Sequence, residues 1–270
     1  MKVGEVRKIS TGNTWTDATI KSIRLYRNGQ ERSLLVVYDV PGYGETQPFE
    51  YFGESENTSP RGDSERRIGL SMMPTEYRDK TAKDFDWSLY GENVDMQKRT
   101  VNAFVTQYAD FEKSGRGLYI FSKAKGSGKT YLACILANEV LKYKAFSIKF
   151  VNCADLVEII KSKDDADRDI LSSIYRCRLL ILDDIGTQDG SQPWINEALF
   201  RLIDYRYREK RPVIFTSNCD TAHLTCDERI AQRIDAMSVP VKMPEKSIRK
   251  QMAMRDTKEF LQSIMGTKET

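Results

Sequence analysis

One stretch of the sequence, residues 118–133, constrains the fold more than any other. It opens with a short apolar run, Leu118 to Phe121, which predicts a buried strand. The run breaks into a loop that ends Gly126-Ser127-Gly128-Lys129-Thr130, and an apolar-periodic helix follows. Glycines let backbone amides turn inward around an anion, and the start of a helix adds the positive end of its dipole. The order of strand, glycine loop and helix therefore indicates a phosphate-binding loop.

In such a loop, Lys129 is expected to reach the β- and γ-phosphates of ATP, and the Thr130 hydroxyl is expected to ligate Mg²⁺. One departure is visible, because the pattern G-x-x-x-x-G-K-[ST] has glycine where this chain has Lys123. Lysine fits that place only if its backbone keeps a negative φ. An exposed turn between a strand and a helix is the competing interpretation of the loop.

A second motif is the apolar run from Leu179 to Leu182, which ends in two carboxylates, Asp183 and Asp184. A continuous apolar run predicts a strand buried on both faces, as in a parallel sheet. Carboxylates at the carboxyl end of such a strand lie at the crevice where open α/β sheets bind ligands. We therefore expect Asp183 to hold Mg²⁺, directly or through water, and Asp184 to polarise a water aimed at the γ-phosphate. An Asp-Asp turn that merely ends a core strand is the alternative.

Composition sets further limits on function. Hydrophobic residues make up 40% of the 270, charged residues make up 30%, and no apolar run has membrane-spanning length. We therefore expect a cytoplasmic protein with no membrane partner. The five cysteines show no C-x-x-C spacing and His223 is the only histidine, so a structural zinc site is not expected. The net charge of +3 alone does not argue for nucleic-acid binding. A local basic cluster fits either contact with a phosphate backbone or a solvated helix end: Arg206, Arg208, Lys210 and Arg211.

Residues 1–70 differ from the rest of the chain in composition and in the pattern of their apolar residues. Two strand-like runs, 18–26 and 32–40, flank a turn that contains Asn28-Gly29, and Asn-Gly between apolar runs is a strong hairpin signal. Residues 53–69 are rich in Gly, Ser, Pro and charge, which predicts a flexible linker. The sequence thus predicts a small β-rich module with its linker over residues 1–70, and an ATPase core over residues 71–270.

The second part begins with an amphipathic helix whose apolar residues recur from Val94 to Phe111 and which ends near Ser114-Gly115. Strands then alternate with helices, which predicts an α/β fold with a parallel sheet covered by helices on both faces. One strand separates the phosphate loop from the acidic strand in sequence, as in P-loop proteins with an extra strand between those two. The predicted strands are 117–122, 146–152, 178–184, 212–217 and 239–242, and the predicted helices are 129–143, 154–162, 167–176, 193–209, 224–236 and 245–264.

Three further segments resemble motifs of the AAA+ ATPases. The apolar strand Val213-Ile-Phe-Thr-Ser-Asn218 is similar to the sensor-1 strand, which implies that Asn218 aligns the attacking water. The segment Glu228-Arg229-Ile-Ala-Gln-Arg233 resembles the arginine-finger box, which implies that Arg233, or alternatively Arg229, reaches a nucleotide on the neighbouring subunit. The segment Ser247-Ile-Arg249 resembles the start of the sensor-2 helix, with its arginine. Each of these arginines also fits an exposed basic helix face.

Taken together, these motifs are similar to those of DnaC/DnaI-type replicative helicase loaders and the related IstB transposase helpers, over about residues 72–250. The resemblance implies a P-loop NTPase of the AAA+/ASCE class with a minimal lid, ATP and Mg²⁺ as ligands, and a homo-oligomer with ATP at the subunit interface. It also implies a slow ATPase, stimulated by DNA or a partner, that controls loading of a DnaB-type helicase on single-stranded DNA.

Two other functions stay open at this point. The same core fits an IstB-like helper of a transposase that acts on duplex DNA. A nucleotide-binding scaffold with negligible turnover also fits, because Lys123 makes the phosphate loop irregular. Helicase loaders carry helicase-binding N-terminal domains, some with zinc, and residues 1–70 show neither pattern. The resemblance therefore covers the ATPase core and not residues 1–70.

Overall fold

The computed structural model describes residues 4, 6–10, 15–28, 31–39, 48–51, 67–143, 146–186 and 193–265. Its first sheet is antiparallel, with four strands in the order β1-β2-β3-β4: Val6–Ser10, Trp15–Asn28, Glu31–Asp39 and Pro48–Tyr51. Strands β2 and β3 pair from Asn28 opposite Glu31 onwards, so the predicted hairpin is confirmed. The linker predicted over 53–69 falls outside the described residues up to residue 66, whereas residues 67–69 are helical and Ile68 packs against the core. The domain boundary at residue 70 stays a prediction.

The second sheet is parallel and confirms the predicted α/β class. Its five strands stand in the order β6-β7-β8-β5-β9, so β8 lies between the strand of the phosphate loop, β5, and the acidic strand, β7. Parallel strands end at a common edge, which brings the residues that follow β5, β7 and β8 together. The strands are β5 (Gly117–Phe121), β6 (Ile148–Asn152), β7 (Leu179–Ile185), β8 (Val213–Ser217) and β9 (Ser238–Lys242).

Helices cover both faces of this sheet, as the continuous apolar strands require. Leu118 and Ile120 of β5 point into one core, with α3 (Lys129–Tyr143), while Tyr119 points into the other, beneath α6 (Pro193–Arg208) and α7 (Glu228–Met237). Successive side chains of a strand face opposite sides, so both cores are buried. The helices are α1 (Asp95–Thr106), α2 (Tyr108–Ser114), α3 (Lys129–Tyr143), α4 (Cys153–Lys161), α5 (Asp165–Arg176), α6 (Pro193–Arg208), α7 (Glu228–Met237) and α8 (Arg249–Met265).

Three predicted helices differ from the structure by more than one or two residues. The helix predicted up to Ser114 breaks into α1 and α2 at Gln107, where φ is −113° and ψ is 27°. The helix predicted from residue 224 begins at Glu228, because the Asp227 side chain caps it by accepting a hydrogen bond from the Arg229 amide. The helix predicted from residue 245 begins at Arg249, because the residues before it are bonded to the phosphate loop instead.

The basic cluster at the end of α6 is structural at two of its positions. Arg206 is fully buried, and its guanidinium donates to the carbonyl oxygens of Ile174 (3.1 Å), Cys177 (3.0 Å) and Pro212 (2.9 Å). Arg211 donates to the Arg176 carbonyl oxygen at 2.6 Å. Buried polar groups need such partners. Arg206 therefore ties α6 to the end of α5 and is not available to a phosphate backbone.

Across the described part of the chain, every helix is too short or too polar to cross a membrane. Three of the five cysteines, Cys134, Cys153 and Cys177, are buried in the core, whereas Cys219 and Cys226 are half-buried. All five are free thiols.

Candidate functional site

The loop after β5 adopts backbone conformations that only glycine takes easily. Gly126 has φ of +75° and Gly128 has φ of +83°, both in the left-handed region. A Cβ at Gly126 would lie 2.7 Å from Ser247 Oγ, and one at Gly128 would lie 3.3 Å from the Tyr90 hydroxyl. Both conformation and space therefore require glycine at these positions, as a loop that turns its amides toward an anion would.

Lys123 meets the condition that the sequence set for it. The described non-glycine residues with positive φ are Met72, Asp184 and Lys210, so Lys123 keeps a negative φ. Its side chain is exposed. Its backbone N–H helps to lower the pKa of Glu245, which belongs to the segment after β9. The missing glycine therefore leaves the loop without strain at this residue.

Lys129 is buried inside the loop. Its Nζ donates to the carbonyl oxygens of Ser122 and Ala124, both at 3.2 Å, and to Ser127 Oγ at 3.3 Å. Burial lowers the pKa of Lys129, while the negative charges of Asp184 and Asp183 act in the opposite direction. Negative charge nearby stabilises the charged form of a buried ammonium group, and phosphates supply such charge.

The acidic strand leaves regular pairing where its two carboxylates stand. The register between β7 and β8 shifts between Leu182 and Ile185, and Asp184 takes a φ of +58°. Thr216 of β8 spans this irregularity, because its hydroxyl donates to Asp183 Oδ1 (2.7 Å) and accepts from the Asp184 amide (2.8 Å). Local breaks in a ladder redirect side chains, and here the two neighbouring carboxylates contact different partners.

Asp183 connects the strand to the phosphate loop. Its Oδ1 accepts a hydrogen bond from Thr130 Oγ1 at 2.8 Å, and its Oδ2 lies 3.5 Å from the side-chain Nδ2 of Asn152. Burial raises the pKa of Asp183, the hydrogen bonds from Thr216 and Thr130 oppose this rise, and the charge of Asp184 adds to it. A divalent cation nearby would favour the ionised form of this buried acid.

The oxygens of Thr130 and Asp183 fit Mg²⁺, which prefers oxygen ligands and keeps several waters. Within the described residues, no group of three or more His, Cys, Asp or Glu side chains comes together as a metal site. A Mg²⁺ ion would therefore depend on these two side chains together with phosphate oxygens and water. That arrangement is typical of a metal that binds with a nucleotide rather than alone.

Asp184 contacts the end of the neighbouring strand. Its Oδ1 accepts a hydrogen bond from Asn218 Nδ2 at 2.8 Å, immediately after β8. The structure thus brings five predicted site positions to one edge of the sheet: Lys129, Thr130, Asp183, Asp184 and Asn218. Arg249 also lies at this edge, since its Cβ would be 3.1 Å from a Cβ on Gly126.

The other two predicted arginines lie on α7 and make different contacts. Arg233 Nε donates to Asp204 Oδ1 at 3.0 Å, and its guanidinium lies 4.9 Å from the centroid of the Tyr207 ring. Arg229 bonds Asp227 through Nε and Nη2 and lies over Phe200 of α6. Neither arginine has a described contact with the phosphate loop of its own chain.

Four residues of the site escaped the sequence prediction: Asn152, Thr216, Tyr90 and Glu245. Asn152 and Thr216 stand at the ends of β6 and β8, so the rule that parallel strands meet at one edge would have found them. Tyr90 donates to the Ser127 carbonyl oxygen at 2.6 Å, and Glu245 accepts from the Ala124 amide at 2.9 Å. No local pattern in the sequence distinguishes these last two residues.

Comparison with known proteins identifies the family. A family model described as IstB-like ATP binding protein matches residues 55–251, more than half of the chain. The chain belongs to this family. This IstB-like protein is 29% identical to the replicative helicase loader DnaI of Bacillus subtilis (strain 168) over 136 residues, which are 47% of the chain and 43% of DnaI. It is 26% identical to the replicative helicase loader DnaC of Escherichia coli (strain K12) over 134 residues, 47% of the chain and 54% of DnaC.

A solved structure gives the same result for the fold. The crystal structure of DnaI superposes with a TM-score of 0.55 at 27% identity, covering 63% of this chain and 94% of that one. The predicted P-loop AAA+ fold and the resemblance to the DnaC/DnaI and IstB group are therefore confirmed. The IstB-like protein spans about half the length of the curated relatives it matches.

Proposed function

We propose that this IstB-like protein is an ATPase that controls the loading of a DnaB-type replicative helicase on single-stranded DNA. The observation that carries the proposal is the hydrogen bond between Thr130 and Asp183, which joins the phosphate loop to the acidic strand. Nucleotide hydrolysis needs both elements at one point, since its catalysis is positioning and charge stabilisation.

Each residue has a stated part in this proposal. The amides of Gly126, Ser127 and Gly128 bind phosphate oxygens, and Lys129 neutralises charge on the β- and γ-phosphates. Thr130 and Asp183 would hold Mg²⁺, which when bound supplies positive charge to the phosphate oxygens. Asp184 orients the attacking water and accepts its proton, while Asn218 keeps the Asp184 carboxylate in place.

The arginines complete the site from two directions. Arg249 stands beside Gly126 of its own chain, where a guanidinium complements phosphate charge. Arg233, or alternatively Arg229, is proposed to reach ATP held by a neighbouring subunit of a homo-oligomer. Among the described residues, the contacts of both α7 arginines are with α6 and Asp227 and not with the loop of their own chain, which supports this assignment. Residues 1–70 are proposed to form a separate module, so limited proteolysis within 53–69 should release the core 71–270.

The helicase as partner is supported by the relatives, since DnaI and DnaC are named replicative helicase loaders. A second candidate function has its own support, because the matching family model is that of IstB-like proteins. In that function, the same ATPase site serves a transposase and duplex DNA. Nothing in the phosphate site separates the two partners, so the partner has to be identified directly.

Two measurements test the proposal. The first is steady-state ATP hydrolysis by the full chain, with and without single-stranded DNA, using Lys129→Ala as the inactive control. We expect slow turnover that single-stranded DNA accelerates. The absence of turnover beside intact ATP binding would leave a nucleotide-binding scaffold. The second is a pull-down from the native host, in which a hexameric helicase supports loading and a transposase supports the second candidate.

A further inference from the structure

The segment between β9 and α8, residues 243–248, is bonded along its length to the phosphate loop. The Met243 amide donates to the Phe121 carbonyl oxygen at 2.8 Å, at the end of β5. The Ile248 amide donates to the Gly126 carbonyl oxygen at 2.9 Å, in the middle of the loop. Because both ends of the segment hold the loop backbone, the shape of the loop and the start of α8 depend on each other.

Glu245 makes the contacts between these two ends. Its Oε2 accepts hydrogen bonds from the Ala124 amide at 2.9 Å and from Ser122 Oγ at 3.3 Å. The Glu245 side chain is exposed, and the small desolvation that acts to raise its pKa is outweighed by the backbone N–H groups of Lys123 and Ala124 and by the Ser122 hydroxyl, which hold the pKa below its usual range. The charged carboxylate is thus the form that binds the loop.

The amide that Glu245 binds, that of Ala124, comes directly after the position where the regular pattern has glycine. Glycine reaches either sign of φ, whereas Lys123 is restricted to negative φ at low energy. An acceptor outside the loop fixes the Ala124 amide in the orientation that the backbone of Lys123 gives it. Ala124 also contributes a carbonyl oxygen to Lys129 Nζ at 3.2 Å, so the residue that Glu245 anchors is one that holds the phosphate-binding lysine.

We propose that Glu245 is a positioning residue of the nucleotide site, whose carboxylate compensates for lysine at position 123 by fixing the start of the phosphate loop. The loop then presents Gly126 to Thr130 in the shape that receives phosphates, and the same segment places Arg249 beside it. This role rests on the proposed ATP site and extends it to a residue that touches neither nucleotide nor metal.

The test uses the full chain with Glu245→Ala and Glu245→Gln, and with Glu158→Ala as a control that removes an exposed glutamate of α4. Binding of a fluorescent ATP analogue should weaken roughly five- to tenfold in Glu245→Ala, since a charge-assisted contact is lost. Glu245→Gln keeps one acceptor oxygen and the side-chain volume, so its loss should be smaller. Hydrogen exchange of the amides of residues 122–126 should become faster in Glu245→Ala without nucleotide, which reports the loop directly.

The same substitutions in a chain that also carries Lys123→Gly test whether Glu245 compensates for lysine at position 123. In a chain with Lys123→Gly, removal of the Glu245 carboxylate should cost less affinity, because glycine tolerates more backbone conformations. Unchanged affinity and unchanged exchange in Glu245→Ala, or an equal loss in both backgrounds, would overturn the proposal. Lys129→Ala separates this outcome from failure of the ATP site itself. If Lys129→Ala loses binding and Glu245→Ala does not, only the role of Glu245 fails, whereas normal binding by both removes the site.

Discussion

Carboxylates and basic side chains occur both at the phosphate edge of the sheet and on the surface where α7 meets α6, but their surroundings differ. The phosphate edge consists of Lys129, Thr130, Asp183, Asp184 and Asn218. At the phosphate edge, Thr130 binds Asp183 and Asn218 binds Asp184, so side chains from different strands converge within one chain. On the α6–α7 surface, Arg229 and Arg233 bind carboxylates of Asp227 and Asp204 at the periphery. The side chain of Arg233 is 38% exposed.

This difference indicates how each region would work. The phosphate edge holds buried, desolvated charges that a nucleotide with Mg²⁺ would complement. The groups that would bind ATP are therefore already in place within one subunit. The ion pair of Arg229 on the α6–α7 surface is exposed and that of Arg233 is half-buried, and exposed pairs contribute only about 0.2–1 kcal/mol. A charged group on a neighbouring subunit can therefore replace the carboxylates as the partner of these arginines. The first region is expected to bind ATP alone, and the second is expected to act only after assembly.

The largest expected effect belongs to Arg233. A fully engaged arginine finger is worth ~10³–10⁵ in rate, so Arg233→Ala should abolish most assembly-dependent turnover. Mixing Arg233→Ala with Lys129→Ala subunits should restore part of the ATP hydrolysis, because one subunit supplies the pocket and the other supplies the finger. Turnover measured across mixing ratios checks this.

The matched control for this experiment is Arg168→Ala, which removes an exposed arginine paired with Asp165 on α5. It should leave turnover unchanged. Two results would contradict this prediction: no recovery of turnover when the two variants are mixed, and wild-type turnover that is strictly proportional to monomer concentration. Hydrolysis would then need no residue from a neighbouring subunit. The same mixing with Arg229→Ala decides between the two arginines.

Asp184→Asn should reduce turnover by about 10²–10⁴ while ATP stays bound, because the proton acceptor is lost and the Asp183 carboxylate remains. Asp183→Asn should instead weaken the Mg²⁺-dependent part of ATP binding. Calorimetric titration with and without Mg²⁺, beside hydrolysis rates, separates the two variants. Identical behaviour of both in both assays would contradict the division of roles between the carboxylates.

Lys129→Ala should weaken ATP binding at least about tenfold, or about 1.4 kcal/mol, because a buried positive charge is removed from the phosphate loop. Titration calorimetry measures this, and Lys125→Ala, an exposed lysine of the same loop, is the control. Because binding at the phosphate edge is expected in the monomer, the loss should be the same at all protein concentrations. Equal ATP affinity of Lys129→Ala and wild type would rule out the phosphate-loop assignment.

The smallest effect is expected from Asp204→Asn, which removes the carboxylate charge that Arg233 and Arg208 share on α6. If the Arg233 pair must be replaced on assembly, the protein concentration for half-maximal turnover should fall by up to about fivefold. Asp165→Asn removes a more exposed pair on α5 and should have no effect. A rise in that concentration would mean that Asp204 holds Arg233 in its working position.

Much of this molecule follows from local sequence rules. Apolar runs set the five parallel strands, and residues that follow two of them, Thr130 and Asp183, lie in contact because the topology fixes their edge. What the sequence did not predict depends on contacts between distant residues. Glu245 and Tyr90 reach the phosphate loop from segments without a motif of their own. The start of α8 was placed too early for the same reason, since 243–248 bond the loop.

The left-handed backbone of Asp184 has a consequence for the evolution of the site. A side chain with a Cβ is disfavoured at a φ of +58°, by about 1 kcal/mol or more for most residues, while glycine and asparagine tolerate it best. Asp184→Gly and Asp184→Asn would therefore inactivate the position while relieving the backbone rather than burdening it. Inactive descendants of such a chain would remain well folded, so loss of turnover here can persist in a lineage without any loss of structure.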